Sequence, residues 1–105
     1  MVLPPIQERR LHPRIPVAAG LRIYHPVAGR EFPARAMDIS PGGMCLRLPA
    51  TAPVKEGQDL RLMQFNDEIL GRFLSHDTTV AATVVRVDRT DVPRLGQVVL
   101  GVKFA

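Results

Sequence analysis

Ten prolines and eight glycines are spread along 105 residues, too densely for long helices to run between them. Between these breaks Val, Ile and Thr gather in short clusters, which suits a pleated, half-buried strand. The chain is therefore expected to be all-β. An apolar fraction of 46% at this length supplies one core and one compact domain.

The local patterns divide the chain into strands. Leu21, Ile23 and Val27 alternate with Arg22, Tyr24 and Pro26, a period of two that runs up to a turn at Gly29. A second strand is expected over 31–40, ended by Gly42-Gly43. Met44, Leu46 and Leu48 then alternate with Cys45 and Arg47 until Pro49 stops the run, the clearest strand in the sequence. Lys55-Glu56-Gly57 reads as a turn into a fourth strand over 59–63. Residues 67–73 suit a short helix or a loop equally well. Two β-branched runs, 79–87 and 98–104, are expected to form a hairpin across the turn cluster 88–96. Six strands with short connections and no internal repeat favour a closed barrel, because closure removes exposed edges.

Charge adds a second pattern. The formal net charge is +4 and the sequence pI is near 10.2, with Lys55 and Lys103 the only lysines. Arginine forks suit phosphates and guanine edges. Arg61, Arg72, Arg89 and Arg94 are scattered and read as ordinary surface charge. Arg9, Arg10 and Arg14, in contrast, lie close together among Pro4, Pro5, Pro13 and Pro16, with no strand or helix period. Residues 1–16 are thus expected to be a flexible basic arm and residues 17–105 the barrel. The lone Cys45 permits no internal disulfide, which fits a reducing cytoplasm. The opening Met1-Val2-Leu3-Pro4-Pro5 has its apolar residues before its charges, the wrong order for a secretory signal, and no apolar run is long enough to span a membrane.

Asp38-Ile39-Ser40-Pro41-Gly42-Gly43 is the other segment that stands out. Strand alternation puts Asp38 and Ser40 on one face and Ile39 on the other. A carboxylate there can accept from the N1 and N2 donors on a guanine's Watson–Crick edge, and a hydroxyl can donate to a phosphate. Gly42 and Gly43 are expected to supply positive φ and close backbone approach. Such a segment alone is as readily a plain turn. His12, His25, His76 and Cys45 lack the short spacing of zinc ligands, and no GxSxG, P-loop or GxGxxG is present. No metal, cofactor or catalytic residue is expected.

Arg10 and Arg14 spaced RxxxR, followed by Asp38, Ser40 and Gly43 spaced DxSxxG at a strand end, resemble the signature of the PilZ domain family. The resemblance covers residues 9–105 and extends to Val84-Val85-Arg86-Val87 and the closing Gly101-Val102-Lys103-Phe104. It implies a six-stranded antiparallel β-barrel that binds the second messenger cyclic di-GMP through Arg9, Arg10, Arg14, Asp38, Ser40, Gly42 and Gly43. It further implies that an arginine at position 9 goes with two mutually intercalated ligand molecules, and an apolar residue there with one. Many members carry a helix after the last strand, whereas this sequence stops at Ala105, so output is expected through a surface shown to a downstream protein. Two other readings stay open: a PilZ-like module that docks on a protein without ligand, and a small nucleic-acid-binding barrel. Against the latter, Tyr24, Phe32, Phe65, Phe73 and Phe104 are dispersed rather than gathered as a stacking platform, and Asp38 would repel a continuous backbone.

Overall fold

A computed structural model describes residues 15–63 and 79–105. Its strands are β1 (Ile15–His25), β2 (Arg30–Ser40), β3 (Gly43–Pro49), β4 (Asp59–Met63), β5 (Val80–Asp88) and β6 (Gln97–Phe104), with a four-residue helix α1 (Val92–Leu95) before β6. They close into a barrel in the order β1-β2-β3-β6-β5-β4, every neighbouring pair antiparallel and β4 returning to β1. The expected all-β, six-stranded antiparallel barrel is what forms. Arg9, Arg10, Arg14 and the ambiguous stretch 67–73 lie outside the described residues.

The barrel is held by the inward half of each alternating strand. Ile23, Ile39, Leu46, Leu60, Leu62 and Leu100 are fully buried, and Met44, Leu48, Val54 and Val84 are nearly so. Each contributes about 1.5–3 kcal/mol relative to an exposed side chain. The 79–87 and 98–104 runs do pair, as β5 and β6. Their connection holds α1, with Pro93 in its first turn and Gly96 closing it at φ 64°. In the same connection the Thr90 hydroxyl and backbone N–H both bond the Asp88 carboxylate, the latter at 2.8 Å, and hold its pKa below the ordinary value.

One expectation fails in β1. Val27 does not continue the Leu21, Ile23 stripe; it sits in the turn after the strand, 81% exposed. The third inward residue is His25, fully buried. Its Nδ1 accepts from the Ala28 N–H at 3.1 Å, so Nε2 carries the proton and donates to the Pro53 carbonyl at 2.9 Å. A buried polar ring is tolerated because both nitrogens are satisfied. The imidazole thereby ties the β1–β2 turn to the 50–58 loop, whose Ala52 and Val54 plug this end of the barrel. The other end carries the start of β1, the β2–β3 turn and the last residues of β6.

Among the described residues, no helix is long and apolar enough to cross a membrane.

Candidate ligand-binding site

A one-residue irregularity in β2 sets the face of each site residue. Phe32, Ala34 and Ala36 point inward, and regular alternation would turn residue 38 inward as well. The β2–β3 register instead shifts between Ala36 and Asp38, leaving Met37 as an extra residue. Met37 and Asp38 are both half-buried, and Ile39 takes the inward position, fully buried. Asp38 and Ser40 therefore share the outer face with Arg35, as the spacing at the strand end led one to expect, although the bulge that makes it so was not foreseen.

The turn that follows is built by packing. Gly43 does not adopt positive φ, contrary to expectation; a Cβ there would collide with the Val102 carbonyl oxygen of β6. Close backbone approach is the half of the glycine argument that holds. The Phe104 N–H donates to the Gly42 carbonyl at 3.0 Å and pins the turn to the end of β6. Ser40 is nearly buried, and its hydroxyl donates to the Gly43 carbonyl at 3.5 Å, the long edge of a hydrogen bond. That hydroxyl can leave for a better acceptor at little cost.

The β1–β2 ladder brings the entry of the chain to the same place. Ile15 lies opposite Ile39 and Pro16 opposite Asp38, so the two residues that directly follow Arg14 are in the sheet beside Asp38. Among the described residues β1 starts at Ile15.

Two further arginines stand on the outer face. Arg35 and Arg47 are cross-strand partners, and Arg47 Nη1 donates to Asp91 Oδ2 at 3.2 Å. The sequence gives no hint of this pairing, because counting evenly back from the Ser40–Gly43 pair sets Arg35 against Leu48. The Met37 bulge moves the register by one and brings Arg47 there. A hollow of about 230 Å³ lies on one side of the pair, with Pro33, Pro49 and Gln97 in its wall, and one of about 210 Å³ on the other, with Ala18 and Met37. Among the described residues, no group of three or more His, Cys, Asp or Glu side chains could hold a metal ion.

The outer face of β2 and β3 therefore offers acceptors at Asp38, a weakly bonded hydroxyl at Ser40 and cations at Arg35 and Arg47, which together suit a ligand bearing both hydrogen-bond donors and negative charge.

Comparison with known proteins agrees with this architecture. No curated protein sequence matches the chain. Among solved structures, the Bacillus subtilis inhibitor of motility MotI superposes with a TM-score of 0.68 at 20% identity, over 92% of this chain and 43% of that one. The PilZ domain of Escherichia coli YcgR with c-di-GMP gives 0.61 at 16% identity, over 91% of this chain and 77% of that one. The K. pneumonia MrkH–c-di-GMP complex gives 0.64 at 17% identity, over 92% and 44%. At these identities the likeness is one of fold, and this chain spans less than half the length of MotI or MrkH. The model of the PilZ domain matches residues 8–105, nearly the whole sequence, and the chain belongs to the PilZ domain family.

Proposed function

We propose that this protein is a cytoplasmic receptor for cyclic di-GMP that performs no chemistry and passes the signal to a protein partner through its N-terminal segment. The observation that supports the reading most is the β1–β2 register, in which Pro16 faces Asp38. It roots the RxxxR segment at the strand end that bears DxSxxG. The ligand has two guanines and two phosphodiesters, so it needs both acceptors and cations. Arg10 and Arg14 fork onto phosphate or guanine O6 and N7, Asp38 accepts from guanine N1 and N2, and Ser40 donates to phosphate. Gly42 and Gly43 leave the turn without side chains where a flat base approaches. Two structural neighbours, YcgR and MrkH, are complexes with c-di-GMP, which favours the same ligand here.

Calorimetric titration tests this. Cyclic di-GMP is expected to bind with a dissociation constant on the order of micromolar or tighter, about −8 kcal/mol or better, and GTP and cyclic GMP far more weakly. Replacing Arg10, Arg14 or Asp38 by Ala is expected to cost ~1–3 kcal/mol each, about 5- to 150-fold in affinity. Wild-type affinity in both Arg14→Ala and Asp38→Ala would show that the site is elsewhere. A flat titration of folded wild type would favour the ligand-independent docking module. Binding of polynucleotide with a steep loss of affinity in salt would favour the nucleic-acid barrel.

A further inference from the structure

Arg35 and Arg47 stand directly opposite each other on β2 and β3, a pairing of like charges that costs stability. Only one of them is compensated. Arg47 is held by Asp91 at 3.2 Å with both side chains largely covered, whereas Arg35 is exposed and makes no ion pair among the described residues. An anion placed between the two would relieve the repulsion. The surface around Arg35 is open enough to admit one. Its β1 neighbour is Gly20, where an added Cβ would meet nothing within 4 Å, and the exposed Ala18 is the next small outward residue of β1. The two hollows that share Arg35 and Arg47 hold about 230 and 210 Å³. Each is smaller than the roughly 300 Å³ at which ligand pockets usually begin, so each suits part of a dinucleotide rather than the whole. Met37, in the wall of the second hollow, directly precedes Asp38, and three residues of strand separate Arg35 from Asp38 by roughly 10 Å.

We propose that Arg35, backed by the Asp91-held Arg47, is a further binding residue of the dinucleotide site and takes a phosphodiester of the ligand whose guanine is read at Asp38. This rests on the reading of the chain as a cyclic di-GMP receptor. Arg47 is already committed to a carboxylate, so of the two Arg35 carries the guanidinium fork that no described carboxylate holds, and Arg47 adds field. The outward small residues of β1 leave the ligand room to lie flat along the sheet.

The test is titration of cyclic di-GMP into wild type, Arg35→Ala, Arg35→Lys and Arg61→Ala. The last removes the same charge from an exposed position on β4. Arg35→Ala is expected to weaken binding about 10- to 150-fold, the worth of a hydrogen bond to a charged group. Arg35→Lys should recover part of that loss, because it restores the charge without the fork, and Arg61→Ala should match wild type. Removing the Arg35 charge relieves its repulsion with Arg47, so thermal unfolding should be unchanged or slightly raised in Arg35→Ala and unchanged in Arg35→Lys and Arg61→Ala. Wild-type affinity in Arg35→Ala, or an equal loss in Arg61→Ala, overturns the assignment of Arg35 while the receptor reading stands. A wild type that binds no cyclic di-GMP overturns the receptor reading and this role with it.

Discussion

Gly43 and Gly20 are both strand glycines with extended backbone, yet their surroundings give opposite consequences for an added methyl group. At Gly43 the methyl would run into the Val102 carbonyl, a backbone atom fixed in the β3–β6 ladder, so the two strands must part. At Gly20 it would enter open space. Gly43→Ala is therefore expected to destabilise by about 1–3 kcal/mol, as overpacking does. Gly20→Ala should be neutral or stabilising by up to about 1 kcal/mol, since glycine in a strand loses more entropy on folding than alanine. Denaturant midpoints of the two variants measure this, and equal midpoints would contradict it. The glycine of the DxSxxG turn is thus required without any ligand, because only a residue lacking Cβ lets β3 approach β6 there.

Most of the strand architecture is legible as alternation. Met44, Leu46 and Leu48 read as one face of a strand and are, and the two β-branched runs pair as written. What alternation cannot show is a change of phase. The bulge at Met37 costs one residue of register and decides both that Asp38 faces outward and that Arg35 meets Arg47. Another register shift, between Val84 and Arg86, leaves Val85 and Arg86 both exposed. Nothing in side-chain chemistry marks these positions, because a bulge is fixed by how two ladders must bend to close the barrel. His25 was missed for the converse reason. The partners of its Nε2, Pro53 and Gln58, come from a loop distant in sequence, and without them that buried nitrogen would be left unsatisfied. The residues proposed for the site stand out in the sequence because they lie within a few positions of each other in two short segments. Ile15 and Pro16 already pair with β2, so ordering of the N-terminal segment on binding is expected in the residues before them. If residues 1–14 close over Asp38 when the ligand neutralises their arginines, hydrogen exchange there should slow sharply with cyclic di-GMP, while Ile15 onward changes little. Equal protection with and without ligand would rule out the segment as the moving part.

On the scale of the whole molecule, closure and charge together decide how the barrel can respond. The six strands close on themselves, so most of the strand edges are occupied and a partner is expected to read the outer surface rather than add a strand. Charge is the surface property that a cyclic dinucleotide changes most. The chain carries a formal net +4, and each ligand brings two phosphodiester charges, so one molecule halves the excess and two abolish it. A second molecule stacked on the first needs a cation that pairs its phosphate and a flat group that covers its exposed guanine, and a guanidinium supplies both. Arg9, directly before Arg10, is the residue proposed for that task, and Glu8 beside it is the competing partner that would make Arg9 one more solvated charge. Wild type is therefore expected to saturate at two cyclic di-GMP per active chain, and Arg9→Leu at nearer one, with the remaining site keeping most of its affinity because Arg10, Arg14, Asp38 and Ser40 are intact. Arg9→Lys separates the two contributions, since it keeps the charge for the phosphate but loses the planar group for stacking, and should fall between the other two in affinity for the second molecule. Titration of fully active wild type that saturates at one equivalent would dismiss the second molecule and leave the first site as it is.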